Sequence, residues 1–86
     1  MADYTITFAR SARRELESLD ASTVQRIIRK IDELEGDPRP HGRKKLEGEK
    51  DLWRVRVGDY RIIYAVSDAR RIVDIVRILH RKDVYR

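Results

Sequence analysis

The stretch Leu52–Val66, with the sequence LWRVRVGDYRIIYAV, decides the predicted fold of this chain. Apolar and polar residues alternate on both sides of Gly58 and Asp59, which is the period of a β-strand around a tight turn. The pattern predicts antiparallel strands at Leu52–Val57 and Tyr60–Val66. A third strand pattern at Ile72–Leu79 follows after a short connection and extends the hairpin.

The first third of the chain predicts one strand and two helices. Residues 3–8 alternate like a half-buried strand, and apolar residues then recur every three or four positions over 9–19. Ser22 with Gln25 three residues later matches a capping box and opens a second helix that ends before Gly36. Each helix carries one apolar stripe, so both are predicted to cover the same face of the sheet.

The predicted fold class is α+β, with two layers in the order β-α-α-β-β-β and a mainly antiparallel sheet. The basic segment 37–50 contains two prolines and two glycines and is predicted to be a loop, with a short strand around Leu46. A chain of 86 residues has room for one hydrophobic core. We therefore expect a single domain over residues 1–86.

The charge of the chain predicts an anionic partner. Twenty Lys and Arg against 15 Asp and Glu give a net charge of +5. Residues 1–36 hold 6 basic and 7 acidic groups, and residues 37–86 hold 14 and 8, so the excess of +6 lies entirely in the second part. The first part is thus predicted to be a scaffold and the second a binding surface.

The residues that the chain lacks exclude several classes of site. There is no cysteine and there are only two histidines, so neither a disulfide framework nor a thiolate zinc site is expected. No phosphate-binding glycine loop, dinucleotide fingerprint, metal-type carboxylate pair or hydrolase triad is present. We expect no metal, no cofactor and no membrane partner, since no apolar run approaches the about 20 residues of a membrane helix, and we expect a cytoplasmic protein.

Basic side chains on alternate strand positions predict a phosphate-binding surface. Arg54 and Arg56 share one side of their strand, and Arg61 lies on the same side across the turn. Guanidinium groups bind phosphate oxygens in pairs and stay charged at any relevant pH. Lys44 and Lys45 in the preceding loop are predicted to add phosphate contacts. The alternative is that these cations form a solvated face with surface carboxylates as partners.

The carboxyl end adds candidates for proton transfer. His80 and Tyr85 can exchange protons and Arg81 adds a cation beside the last strand. Alternatively, His80 is a strand-end packing residue and Tyr85 covers the sheet edge.

Five segments together resemble the RelE/ParE toxin superfamily. They are Phe8–Ala12, Lys45–Gly48, Trp53–Arg56, Gly58–Tyr64 and His80–Tyr85. The similarity spans nearly the whole chain, and the terminal His-Arg-Lys-Asp-Val-Tyr run points to the RelE branch.

The resemblance implies a toxin of a type II toxin–antitoxin system. Such a toxin is a ribosome-dependent, metal-independent endoribonuclease (mRNA interferase) that cleaves messenger RNA in the A site by attack of a ribose 2′-hydroxyl and inhibits translation. Its implied partners are an acidic, RelB-like antitoxin, the ribosome with its messenger RNA, and operator DNA through the antitoxin complex.

The resemblance also implies roles for individual residues. Arg61 corresponds to the arginine that stabilises the scissile phosphate, Arg81 to a second basic residue of the site, and Tyr85 to the terminal tyrosine that orients the base. Arg54 and Arg56 stand where the best-known RelE-type enzymes have lysines, and an arginine is a poor base. Proton removal then depends on His80, or the reaction relies on electrostatic stabilisation and on orientation of the RNA by the ribosome.

Two other functions fit parts of the sequence. The same scaffold supports ParE-like inhibitors of DNA gyrase that have no nuclease activity, although Arg61, Arg81 and Tyr85 together argue against that function here. A basic binding module that only docks on ribosomal RNA, or that forms a repressor complex with its antitoxin on DNA, would bind in a salt-sensitive way and leave RNA intact.

Overall fold

Two helices cover one face of a mixed sheet in the computed structural model, which describes residues 3–40, 42–46 and 52–84. The elements in chain order are β1 (Thr5–Phe8), α1 (Arg10–Glu17), α2 (Ala21–Leu34), β2 (Lys44–Lys45), β3 (Leu52–Val57), β4 (Tyr60–Ser67), β5 (Ile72–His80) and α3 (Arg81–Val84). The predicted fold class and order of elements are confirmed. No helix in the described ranges is long and apolar enough to cross a membrane.

The sheet has the strand order β1-β5-β4-β3-β2. Strands β2 to β5 pair antiparallel, as the short connections predict, while β1 lies parallel to β5 at the far edge. The connection from β1 back to the sheet runs through both helices. The antiparallel strands that the sequence predicts therefore form the centre of the sheet, and β1 forms the edge opposite β2.

The hydrophobic core lies between the helices and one face of β3, β4 and β5. Its buried side chains include Ala12 from α1, Ile27, Ile31 and Leu34 from α2, and Val55, Ile62, Tyr64, Val73, Ile75 and Ile78 from the strands. Both helix stripes that the sequence predicts contribute to this core. The opposite face of the sheet has no helix over it in the described part of the chain and is open for function.

A β-bulge in the middle of β5 changes which of its residues face the core. Ile63 pairs with Arg77 but the next residue, Tyr64, pairs with Ile75, so Val76 is an extra residue in the ladder. Before the bulge Ile75 faces the core, and after it Ile78 does. One inserted residue reverses the alternation of the strand, because the side-chain period of a strand is two.

The edge of β5 beyond the bulge is closed by side chains of α1. β1 ends at Phe8, opposite Ile75. The Ser11 hydroxyl donates to the carbonyl of Val76 at 2.9 Å, and the Glu15 carboxylate accepts the backbone N–H of Ile78 at 2.8 Å. A helix thus supplies the hydrogen bonds that a further strand would otherwise make.

Two local predictions need correction, and a third is confirmed. The capping box at Ser22 is wrong, because the N-cap of α2 is Asp20, whose carboxylate accepts a hydrogen bond from the Ser22 hydroxyl at 2.7 Å. The short strand predicted around Leu46 is present, at Lys44–Lys45. The last strand continues to His80 and leads directly into α3, which the periodicity of so short a segment does not reveal.

Candidate functional site: a basic cleft on the open face of the sheet

Four cations line one cleft of about 170 Å³ on the open face of the sheet. Arg56 pairs directly with Arg61 across the hairpin, and Lys44 pairs directly with Arg54. Paired residues of neighbouring strands project on the same side. The hairpin therefore brings together Lys44, Arg54, Arg56 and Arg61, which the sequence predicts as phosphate ligands, and Gly42 completes the rim.

Arg61 is the deepest of these cations, with 6% of its surface exposed. It is the one buried charged or polar residue in the part of the chain that the structure describes. It lies on β4, in the centre of the sheet, between Arg56 on β3 and Leu79 on β5. A guanidinium keeps its charge when buried, so this position fixes a positive charge at the floor of the cleft.

Two arginines outside the cleft are neutralised by carboxylates of the chain. Arg39 forms an ion pair with Asp68 at 2.9 Å, and Arg77 forms one with Glu15 at 2.7 Å. Within ranges 3–40, 42–46 and 52–84, neither Arg54 nor Arg56 makes an ion pair with a carboxylate. Arg54 and Arg56 therefore carry charge that no carboxylate of the described residues neutralises.

A second basic cleft, of about 240 Å³, adjoins the first along α2. Arg26, Arg29 and Lys30 lie on one helix face and meet Arg56, which lines both clefts. Glu33 also lines this cleft and pairs with Lys30 at 3.5 Å, so Arg26, Arg29 and Arg56 give it its positive charge. The guanidinium of Arg26 lies against the β3–β4 turn, where a Cβ on Gly58 would stand 2.6 Å from its Nη2 atom. We name the two clefts together, from Lys44 to Lys30, the basic track.

His80 lies on the opposite face of the sheet from the cleft. It pairs with Tyr60, a partly buried residue packed against the core, and the two rings meet edge to face with centroids 5.1 Å apart. Its Nδ1 atom accepts the backbone N–H of Lys82 at 3.1 Å. The structure does not bring His80 together with the arginines, because the bulge reverses the alternation of β5 and turns His80 to the other face.

Arg81 stands at the start of α3, near the turn of the hairpin. Its backbone N–H donates to the carbonyl of Asp59 at 2.7 Å, and its guanidinium is 3.9 Å from the Asp59 carboxylate. The side chain is 62% exposed, so this ion pair is weak. Arg77, the other arginine near the end of β5, is hydrogen-bonded to Glu15. This hydrogen bond raises the pKa of Arg77. Tyr85 lies outside the described residues.

The second predicted lysine does not join the cleft. Lys45 pairs with Trp53, and its Nζ atom lies 5.8 Å from the centroid of the indole ring. Arg39 and Arg43 approach the same ring at 5.3 and 5.9 Å. The face that carries Trp53 is thus partly covered by cations of the preceding loop, each in cation–π contact.

This loop is tied to the sheet by contacts that sequence patterns do not reveal. The buried Tyr64 hydroxyl donates to the carbonyl of Pro38 at 2.7 Å, and burial raises the Tyr64 pKa to about 12. Asp68 accepts hydrogen bonds from Arg39 and Tyr4, and that of Arg39 is the main cause that lowers the Asp68 pKa to about 2. These bonds hold the loop that leads to Gly42 at the rim of the cleft.

Comparison with known proteins places the chain in a family. The family model described as the ParE toxin of the type II toxin–antitoxin system, parDE, matches residues 6–85. The chain belongs to the RelE/ParE toxin superfamily. Within the superfamily it is similar to toxin RelG of Mycobacterium tuberculosis, which is 30% identical over 84 residues that cover 96% of this chain and 97% of that protein.

Solved structures of RelE toxins share the fold. The archaeal RelE–RelB complex from Pyrococcus horikoshii OT3 superposes with a TM-score of 0.81 and 32% identity, covering 92% of this chain and 96% of that one. The toxin–antitoxin complex RelBE2 from Mycobacterium tuberculosis gives a TM-score of 0.81 and 29% identity, covering 93% of each chain. The resemblance that the sequence motifs indicate is confirmed, and this protein is a RelE-type toxin.

Proposed function

We propose that this RelE-type toxin is a metal-independent endoribonuclease that cleaves messenger RNA in the ribosomal A site. The observation that carries the proposal is the cleft itself, in which buried Arg61 lies beside Arg54, Arg56 and Lys44. A cluster of like charges repels itself unless an anion is bound, and phosphate is the anion whose geometry fits guanidinium groups.

The reaction suited to this cleft is an intramolecular transesterification of the RNA backbone. The ribose 2′-oxygen attacks the adjacent phosphorus, the bond to the 5′-oxygen breaks, and the products are a 2′,3′-cyclic phosphate and a 5′-hydroxyl. The 2′-hydroxyl loses one proton and the leaving oxygen gains one. Negative charge increases on the phosphate in the transition state, where fixed cations have their largest effect.

Stabilisation of charge, rather than a dedicated base, is the contribution of the described cleft. Arginines keep their protons, and His80 lies on the other face of the sheet with Nδ1 engaged. Orientation of the RNA by the ribosome supplies the in-line geometry that the reaction needs. Arg81, at the edge of the hairpin, adds a cation beside the RNA, and Tyr85 is proposed to orient the base.

The partner that neutralises the toxin is proposed to be an acidic, RelB-like antitoxin. RelE relatives were solved in complex with RelB. An acidic segment laid over the basic track would supply carboxylates to Arg54 and Arg56, which pair with none in the described part of the chain. Binding of operator DNA is assigned to the complex with the antitoxin. A cytoplasmic location follows from the ribosomal target.

Primer extension on a defined messenger RNA bound to ribosomes tests the activity, with a chelator present throughout. We expect cuts within A-site codons, a 5′-hydroxyl on the downstream fragment, and no cleavage of the same RNA without ribosomes. Intact RNA in toxin-treated cells that nonetheless stop growing would contradict the proposal. It would favour inhibition of DNA gyrase, which a DNA supercoiling assay measures directly.

The basic track predicts that α2 contributes to RNA affinity without contributing to catalysis. Replacing Arg29 by alanine is expected to weaken binding to the ribosome and to lower the slope of log affinity against log salt by about one, the loss of one phosphate contact. The rate at saturating toxin should not change. The measurement is a salt series of binding isotherms.

The matched control for Arg29 is Arg13→Ala, which removes the same charge from the exposed face of α1. Arg13 lies with Arg10, Arg14 and Glu17 in a cleft that shares no residue with the basic track. Equal salt slopes for the two variants would show that only net charge matters and would contradict a role for α2.

A further inference from the structure

We propose that His80 is a positioning residue that acts as the N-terminal cap of α3 and sets the direction in which this helix leaves β5. The proposal rests on the proposed RNA cleavage for its functional consequence, but its structural part is independent of that activity. The proposed cap differs from the role of general base, for which His80 is a candidate from the sequence.

The hydrogen bonds around α3 carry the proposal. The N–H of Lys82, in the first turn of the helix, donates to His80 Nδ1 at 3.1 Å, and the N–H of His80 donates to the Asp83 carboxylate at 3.3 Å. The first N–H groups of a helix have no partner inside it. A side-chain acceptor just before the helix supplies one, a task that Ser, Thr, Asp or Asn usually performs.

This contact selects the tautomer of the neutral imidazole ring. Because Nδ1 accepts a hydrogen bond, the proton of the neutral ring lies on Nε2. The ring also stands edge to face against Tyr60, at an interplanar angle of 86°, which holds its orientation. The lone pair of Nδ1 is thus directed at the helix backbone and not at the cleft.

The direction of α3 matters because the helix begins beside the cleft. Leu79 pairs with Arg61 at the end of the cleft, and α3 starts two residues later at Arg81. The charge of Asp83 also contributes to the raised pKa of Arg77, after the larger effects of Glu15, so α3 lies within electrostatic reach of this strand residue. The N–H of Arg81 is held separately by the carbonyl of Asp59, so a loosened α3 would move the chain from Lys82 onward relative to the cleft and so relative to bound RNA.

A set of three variants tests the cap. His80→Asn places its amide oxygen close to the position of Nδ1, whereas His80→Gln moves the acceptor one bond further and His80→Ala removes it. Amide hydrogen exchange of Lys82 reports on the cap. We expect wild type and His80→Asn to protect this amide equally, and the other two variants to lose about tenfold of the protection.

The rate of cleavage of ribosome-bound RNA is expected to be high in wild type and His80→Asn and low in the other two variants. A misplaced α3 lowers this rate even when every side chain of the cleft is intact. We expect His80→Asn to stay within about twofold of wild type and the other two variants to fall about tenfold or more. Asparagine cannot act as a base near neutral pH, so retained activity in this variant separates positioning from proton transfer.

Two outcomes would overturn the proposal. One is loss of cleavage in His80→Asn while the Lys82 amide stays protected, which would assign a chemical role to the ring. The other is unchanged Lys82 protection in His80→Ala and His80→Gln. The exchange measurement needs no active toxin, so absence of cleavage by the wild type would count against the proposed function and leave the cap tested separately.

Discussion

Replacing Arg61 by alanine is expected to lower the rate of RNA cleavage on the ribosome by about 10²–10³-fold, the loss seen when one fixed transition-state donor is removed. Arg61 is the buried charge at the floor of the cleft, where water screens it least. Arg61→Lys keeps the charge but loses the planar fork of donors, so an intermediate rate is expected. Single-turnover cleavage of ribosome-bound messenger RNA measures the effect.

The control for Arg61 must separate catalysis from folding, because a buried side chain also packs. Arg70→Ala removes the same charge from an exposed position in the turn between β4 and β5, and its cleavage rate is expected to equal that of wild type. Thermal melting shows whether Arg61→Ala still folds, and its antitoxin affinity is expected to fall much less than its cleavage rate, because Lys44, Arg54 and Arg56 remain in the cleft. A parallel loss of stability, antitoxin binding and cleavage would assign Arg61 a structural role.

Replacing Glu15 by alanine is expected to lower the free energy of unfolding by about 2–3 kcal/mol, since a hydrogen-bonded charge and a half-buried N–H lose their partner together. Glu15 accepts two hydrogen bonds from Arg77, at 2.7 and 3.0 Å, and one from the N–H of Ile78. The side chain is 24% exposed, so solvent replaces these bonds only in part. Urea denaturation measures the change.

Two further variants resolve the contributions of Glu15. Glu15→Gln can still accept the N–H of Ile78 but loses the charge opposite Arg77, so an intermediate loss is expected. Glu17→Ala changes an exposed carboxylate on the same helix and should stay within about 0.5 kcal/mol of wild type. Equal stability of the Glu15 and Glu17 alanine variants would show that α1 does not close the edge of β5.

Local patterns were sufficient for most of the fold. The alternation in Leu52–Val57 and Tyr60–Ser67 with a two-residue turn between them predicts the register, and the register places Arg56 opposite Arg61. The helices follow in the same way, because an apolar stripe of period 3.6 has to be buried. These features depend on residues that are near one another in the chain.

Contacts between distant residues were beyond such patterns. Glu15 meets Ile78 across 63 positions, and Tyr64 meets Pro38 across 26. In the sequence, Glu15 cannot be told from any exposed acidic residue of a helix. Tyr64 likewise cannot be told from any other aromatic residue of the core. Their partners are defined only when the helices have packed on the sheet.

The sequence by itself determined the two-layer fold and the cluster of arginines, because both arise from periodicity and from one tight turn. Only the tertiary structure decided the face on which His80 lies. The extra residue at Val76 reverses the alternation of β5, so Leu79 projects beside Arg61 while His80 faces the core side, where its Nδ1 atom accepts the N–H of Lys82. A bulge is a property of pairing between strands, and a strand pattern read alone does not contain it.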